Sequence, residues 1–448
     1  MQFFQTQTIK NILRLASGIW VSEDGAASVI FGLALVIIIG SMALMVDVTR
    51  VFVAKSHLAN FSESAALAVA RNLNFLTEEE LEDLATTMTA STVPNSSIFM
   101  FNSQSVTTTT VLSTELSSGL VSVTIEATVP TTLLQVFDFA DEMTIAETVT
   151  AFQYAPEAEI VFVLESSSEM EQSGKLVIAS TAVNEFISVF DNHRVSDTGI
   201  VFGFIPFGSE LVNVAPHTDW LEEGLWPTDV PPNVSGTSDW VGELAEDRWC
   251  VLTRSGDAGT LDVTPAHTRF PLVLEILKTE IEGDVAHYSN ITSTDCRSEP
   301  IISLTENTEI ILQLTSSLAG NGEAYSGRAM IWAERMLSPD WQPYWQTTEG
   351  PPTEYDDEDI QKVVILVTGS ANTAPDTENS LFSEACDRMK SNDVTVYVVD
   401  FLAPDSIAEI LTNCATSKGH YFRAENEASV SEALYAIAKF LTVVKFSG

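Results

Sequence analysis

The chain has 448 residues, 45% of them apolar, and a formal net charge of −41 from 62 acidic against 21 basic side chains. That length supports two or three domains with a large core, and the apolar content excludes a disordered polymer. So acidic a surface repels phosphate, so nucleic acid is not an expected partner.

Residues 1–24 read as a short tail. No charge falls between Asp24 and Asp47, where the sequence runs GAASVIFGLALVIIIGSMALMV. As a helix this run, 25–46, is roughly 33 Å long, against a bilayer core of about 30 Å, and it is expected to span a membrane. Its length, and the acids ahead of it, argue against a cleavable signal peptide. Lys10 and Arg14 before the run and Arg50 and Lys55 after it leave orientation by positive charge undecided. The helical pattern then continues: Val51, Ala54, Leu58, Phe61, Ala65 and Ala68 recur at alternating spacings of three and four. Such a seam either packs on its own domain or is shared with another membrane-anchored helix, and it is the candidate partner surface. Alternating segments at 105–116, 120–130 and 143–152 predict strands that complete a small α+β unit over 47–155.

From 156 the rhythm changes. Apolar strands at 160–164, 199–207, 362–368, 394–401 and 420–424 alternate with helical patterns at 175–190, 306–318, 326–337, 381–390, 406–415 and 429–444. This predicts an α/β fold, a doubly wound and mostly parallel sheet covered on both faces, over 156–448. Residues 208–303, rich in Pro, Gly and Trp, interrupt the pattern as a long insertion. The four cysteines form no CxxC pair, and their placement suggests Cys250 with Cys296 and Cys386 with Cys414. Each bridge would stabilise by about 3–4 kcal/mol in an oxidising compartment, which puts the C-terminal bulk outside the cytoplasm.

Two strand ends carry polar words: LESSSEM after the first strand of this region and VTGSAN after 362–368. In open α/β sheets ligands collect at such ends. Together they resemble a von Willebrand factor A domain, whose metal-ion-dependent adhesion site is built from D-x-S-x-S, a loop threonine and a T-D-G turn. Carried over by position, Glu165 stands for the aspartate, Ser167 for the first serine and Glu169 for the second. Ala324 stands for the loop threonine, Thr368 is kept, and Gly369 stands for the second aspartate. One carboxylate is lengthened, one hydroxyl becomes a carboxylate and two ligands are gone. Mg²⁺ tolerates little departure from octahedral geometry, so no metal is expected; a looser Ca²⁺ held by Glu165 and Glu169 is the alternative. Ser173 or Ser166 is expected to cap the helix that follows.

A second resemblance rests on Gly25, on Val46-Asp47 and on KSHLANFSESAALAVAR at 55–71. These look like the start of TadG-like proteins of the tight-adherence (Flp/Tad) pilus machinery. WAERMLSP (332–339), CDRMK (386–390), NCATSKGHYF (413–422) and the cysteine pattern extend the likeness. Ile30 stands where prepilin-peptidase substrates carry Glu, so a retained anchor is expected. The resemblance implies a single-pass bacterial inner-membrane protein, with its N-terminus cytoplasmic and its bulk periplasmic or extracellular. It would assemble or anchor a pilus through contacts with other pilus-assembly or minor pilin-like proteins. The binding-class alternative is a cation-dependent adhesin. No G-x-S-x-G, HExxH or Walker loop occurs and the six histidines are scattered, so neither an enzyme nor a small-molecule substrate is expected.

Overall fold

The computed structural model describes residues 23–73, 75–92, 107–115, 119–131, 134–135, 141–191, 199–222, 249–254, 256–271, 275–282, 285–291, 299–345 and 352–446. They fall into two units, one of residues up to Phe152 together with those from Val444, the other Gln153–Val443.

In the first unit a single helix, α1 (Glu23–Asn72), continues from the apolar run into the seam. Its first half is bare: Val29, Phe31, Val36 and Ile37 are each more than 60% exposed. Its second half packs on a sheet. A turn leads to α2 (Glu78–Thr92), opened by a reciprocal cap. Thr77 N–H donates to Glu80 Oε2 at 2.8 Å, Glu80 N–H to Thr77 Oγ1 at 3.4 Å. The backbone hydrogen bond from Thr77 lowers the Glu80 pKa. β1 (Thr107–Glu115), β2 (Leu120–Pro130) and β3 (Glu142–Tyr154) form an antiparallel meander, with Thr107 opposite Thr128 and Leu120 opposite Phe152. Alternation sorts the faces of β2. Val121, Val123, Ile125, Ala127 and Val129 are buried against α1. On the other face Ser122 meets Thr150 and Thr124 meets Thr148 through hydroxyl pairs of 2.9 and 2.8 Å.

The second unit holds a six-stranded sheet. Its strands are β4 (Ala158–Glu165), β5 (Ile200–Phe207), β10 (Ile302–Thr305), β11 (Gln361–Thr368), β12 (Thr395–Phe401) and β13 (Tyr421–Ala424). The spatial order is β10-β5-β4-β11-β12-β13, parallel throughout except for β10 at the edge. Side chains are covered on both faces. Phe162 packs edge-on to Phe186, while Val161 and Val163 face a separate core. Helices follow the strands: α3 (Ser168–Gln172), α4 (Lys175–Asp191), α5 (Thr308–Ser317), α6 (Ser326–Leu337), α7 (Pro375–Ser391), α8 (Ala408–Cys414) and α9 (Glu427–Leu441). Helices α4, α5 and α9 group together, as do α6, α7 and α8. The direction of winding reverses between β4 and β11, so their carboxyl ends form the switch point of a doubly wound fold.

The terminal helix needs correction, and the long insertion gains detail. The stretch 208–303 supplies part of the core. Trp220 and Phe270 sit in the main core with Trp332, Trp341 and Trp345 of α6 and the residues after it, and β6 (Val212–Asn213) pairs with β7 (Cys250–Val251). β8 (Glu275–Glu282) and β9 (Val285–Ile291) add a hairpin, and β10 just beyond it supplies the sheet edge. The terminal helix stops at Leu441, short of the expected 444. The last strand, β14 (Val443–Phe446), joins the first unit's sheet beside β3. The second unit is therefore inserted between β3 and β14 of the first. Cys386 and Cys414 are bonded as expected, Cα–Cα 5.1 Å. Cys250 is disulfide-bonded, and Cys296 lies outside the described residues.

Candidate functional site

β4 ends on Glu165, which turns inward rather than out. Its side chain is fully buried, with Ser166, Ser167 and Thr368 also at or below 2% exposure. Both carboxylate oxygens are taken. Oε1 accepts the Ser167 hydroxyl at 2.6 Å. Oε2 accepts the Thr368 hydroxyl at 2.7 Å and the backbone N–H groups of Gly369 and Ser370 at 2.8 and 3.1 Å. Four donors around one buried carboxylate meet the requirement for keeping a charge out of water. Ser167 does double duty: its oxygen accepts the Met170 N–H at 3.3 Å and so caps α3. Ser166 instead donates to the Phe207 carbonyl, and Ser173 closes the far end of α3 by donating to Glu169 O. The cap made here is Ser167's, on the short α3 that precedes the predicted 175–190 helix.

The loop that should carry the threonine covers this carboxylate. Asn321 N–H donates to Ser166 O, Ser168 N–H to Gly322 O, and Gly320 N–H to Glu171 Oε2, all between 3.0 and 3.1 Å. Gly322 has φ +69°, and a Cβ there would stand 2.0 Å from Gly208 O; only glycine allows the loop to lie so close. Ala324 is buried, its carbonyl accepting the Thr373 N–H. Glu169 points away and is exposed. At Gly369 a Cβ would fall 2.7 Å from Phe401 O and 2.8 Å from Met170 Sδ, so an aspartate has no room there. The Lys175 ammonium closes the strand ends, donating to Gly369 O at 2.9 Å and Leu402 O at 3.3 Å.

This donor set does not fit a divalent ion. The adhesion-site motif that the two strand ends resemble is built from two aspartates, two serines and a threonine. Here one carboxylate is saturated by its neighbours, the other faces away, and two positions offer no side-chain oxygen. Among the described residues no group of three His, Cys, Asp or Glu side chains stands close enough to hold a metal. A Ser–His pair does occur, Ser417 Oγ to His420 Nδ1 at 2.7 Å. The two stand three positions apart in one exposed turn whose start Ser417 caps, and among the described residues no carboxylate is hydrogen-bonded to the imidazole.

The residues of the α1 seam lie in or against a core. Ala54, Leu58 and Ala65 are at most 3% exposed and lie in the first unit's own core, with Val51 and Phe61 packed against it and Ala68 half-buried. The seam is occupied by its own sheet rather than left for a partner helix. The words WAERMLSP and CDRMK touch each other. Arg388 grips Glu334 with two bonds, 2.8 and 2.7 Å, and donates to Thr260 O. Arg335, fully buried, donates to the Ala258 and Leu261 carbonyls at 3.2 Å; burial lowers its pKa to about 9. Sequence reasoning gave no role to Arg254 and His217, because isolated basic residues in a long insertion show no periodicity, nor to Arg335, which entered only as part of WAERMLSP. In the structure Arg254 lies over the Phe270 ring, 4.0 Å away, and His217 stacks on Trp220, centroids 4.0 Å apart.

The family model described as putative Flp pilus-assembly TadE/G-like matches residues 25–72. No curated protein matches the chain. Among solved structures, the pilus adhesin SpaC from Lactobacillus rhamnosus GG is 12% identical, covering 75% of this chain and 34% of its own, with a TM-score of 0.37. Proximal thread matrix protein 1 from the mussel byssus, in a structure with a zinc-occupied MIDAS motif, is 12% identical over 66% of this chain and 49% of its own, TM-score 0.34. A von Willebrand factor type A protein from Catenulispora acidiphila is 12% identical over 76% of this chain and 51% of its own, TM-score 0.31. The chain thus spans about a third to a half of the length of these proteins. Residues 25–72 thus resemble a TadE/G-like pilus-assembly segment, carried in one chain with a doubly wound α/β unit.

Proposed function

We propose that this protein is a membrane-anchored, non-cytoplasmic assembly component of a Flp/Tad-type pilus, acting through protein–protein contacts and without a metal. The observation that carries the reading is the coincidence of the TadE/G-like segment with α1, whose 25–46 portion is bare and apolar while the rest packs into a folded unit. The Cys386–Cys414 bridge supports an oxidising side of the membrane for the bulk of the chain. The saturated Glu165 supports a structural A-like unit over a cation-dependent adhesin, and we read the protein as a non-enzyme whose partners are other pilus-assembly or minor pilin-like proteins.

The test is deletion of the gene, electron microscopy for surface filaments, and complementation with wild type and with Glu169→Ala. Loss of filaments restored equally by both copies is the expected result. In parallel, the purified chain is melted with EDTA and with millimolar Mg²⁺, Ca²⁺ or Mn²⁺, and its Tm is expected not to move. Intact filaments with lost adhesion, or a cation-dependent Tm, would favour the adhesin.

A further inference from the structure

Asp47 stands at the end of the bare run, yet it is 1% exposed, whereas its neighbours Met45, Val46 and Val48 are 71%, 47% and 48% exposed. A carboxylate at the edge of hydrocarbon is costly unless bonded. Here Oδ2 accepts the Leu134 N–H at 2.7 Å, and the Arg50 guanidinium lies 3.6 Å from Oδ1. Leu134 belongs to the connection from β2 to β3, closed at its base where Thr131 donates to Asp141 O through both its N–H and its hydroxyl. The bond to Asp47 therefore holds Leu134 at the level where α1 leaves the apolar run.

The sequence between β2 and β3, TTLLQVFDFA at 131–140, is mainly apolar, with one charge at Asp138 and no Gly, Asn or Pro. Gln135 is exposed beside the half-buried Leu134. On α1 the exposed apolar surface continues past Asp47, with Val48 at 48%, Phe52 at 73% and Val53 at 38%. Phe52 is five residues beyond Asp47, about 7.5 Å along a helix, which is within the headgroup layer of about 5–8 Å outside the hydrocarbon. Exposed apolar side chains thus run on from the span, and the one acid among them is turned inward and bonded to the turn.

We infer that the Leu134–Gln135 turn and the Val48–Phe52 flank of α1 make a second, interfacial contact with the lipid surface. This contact seats the first unit against the bilayer instead of leaving it on a free stalk. The inference rests on α1 spanning the membrane. Its occupant is lipid because the patch is continuous with the span.

The full chain is reconstituted in liposomes of phosphatidylethanolamine and phosphatidylglycerol. A nitroxide is attached to one introduced cysteine at a time, Val36→Cys, Phe52→Cys, Gln135→Cys or Thr114→Cys, with the wild-type chain as labelling control. Thr114 pairs with Val121, at the opposite end of β2 from the Leu134 turn. Collision with oxygen against a water-soluble nickel chelate reads the depth of each label. Expected are a deep label at 36, headgroup-level labels at 52 and 135 with several-fold lower nickel access than at 114, and a fully aqueous label at 114. If 36 is deep but 135 is as aqueous as 114, the interfacial contact is overturned and the span stands. If 36 is aqueous, both fall.

Discussion

Glu165 shows how a long side chain can fill a site that a shorter one would leave open. With the extra methylene the carboxylate reaches the Thr368 hydroxyl and the Gly369 and Ser370 amides at once. Replacing it by Gln keeps the shape but presents an NH₂ group to donors, so Glu165→Gln is expected to lose about 2–4 kcal/mol in urea unfolding. Ser167→Ala, which removes a helix cap and one bond to the carboxylate, is expected to lose about 1–2 kcal/mol. A second test concerns His217, whose pKa burial lowers from 6.5 to about 4, with Asp219 opposing. The folded state resists the proton and the unfolded state takes it. Stability from this group is therefore full above pH 6.5 and falls as the pH drops towards 4, by about 3 kcal/mol in all. His217→Phe keeps the stack on Trp220 and should remove that part of the pH dependence, seen as the difference between the two Tm–pH curves. The position of Glu165 and the loss of aspartate at 369 were legible in the sequence. The inward turn was not, because it depends on donors brought from β11 and on a glycine loop from far along the chain.

At the scale of elements, α1 joins two halves with opposite needs. The bare half uses large apolar residues, whereas the packed half uses alanines that let the helix lie close to β2. Ala65→Leu should overpack this contact and cost about 1–3 kcal/mol, while Leu58→Ala should leave a cavity costing about 2–5 kcal/mol, both read by urea unfolding. The seam's period was readable, but its occupant was not, since spacing alone does not say which sheet lies opposite. On the far side of the chain the Cys386–Cys414 bridge ties α7 to α8 across 28 residues. Its removal by Cys386→Ala/Cys414→Ala is expected to cost about 2–4 kcal/mol, measured against the oxidised wild type. The α/β rhythm of this half was legible because its buried strands are continuous apolar runs. The edge strand β10 was missed because only one of its four residues is fully buried.

At the scale of the molecule, the second unit is inserted in the sequence of the first, between β3 and β14. β14 lies beside β3 although 288 residues separate their adjoining ends, Tyr154 and Val443 by number. The terminal pattern at 429–444 read as one helix, because VV at its end suits helix and strand alike. Only pairing with β3 decides between them. Deleting 443–448 is expected to bare the β3 edge, so that limited proteolysis cuts first within 142–152 and the truncated chain associates through that edge. Because β3 waits for β14, the sheet that begins soon after α1 is finished only once residues 443–446 have been made. A chain stopped before them leaves the β3 edge unpaired, open to pairing with another strand.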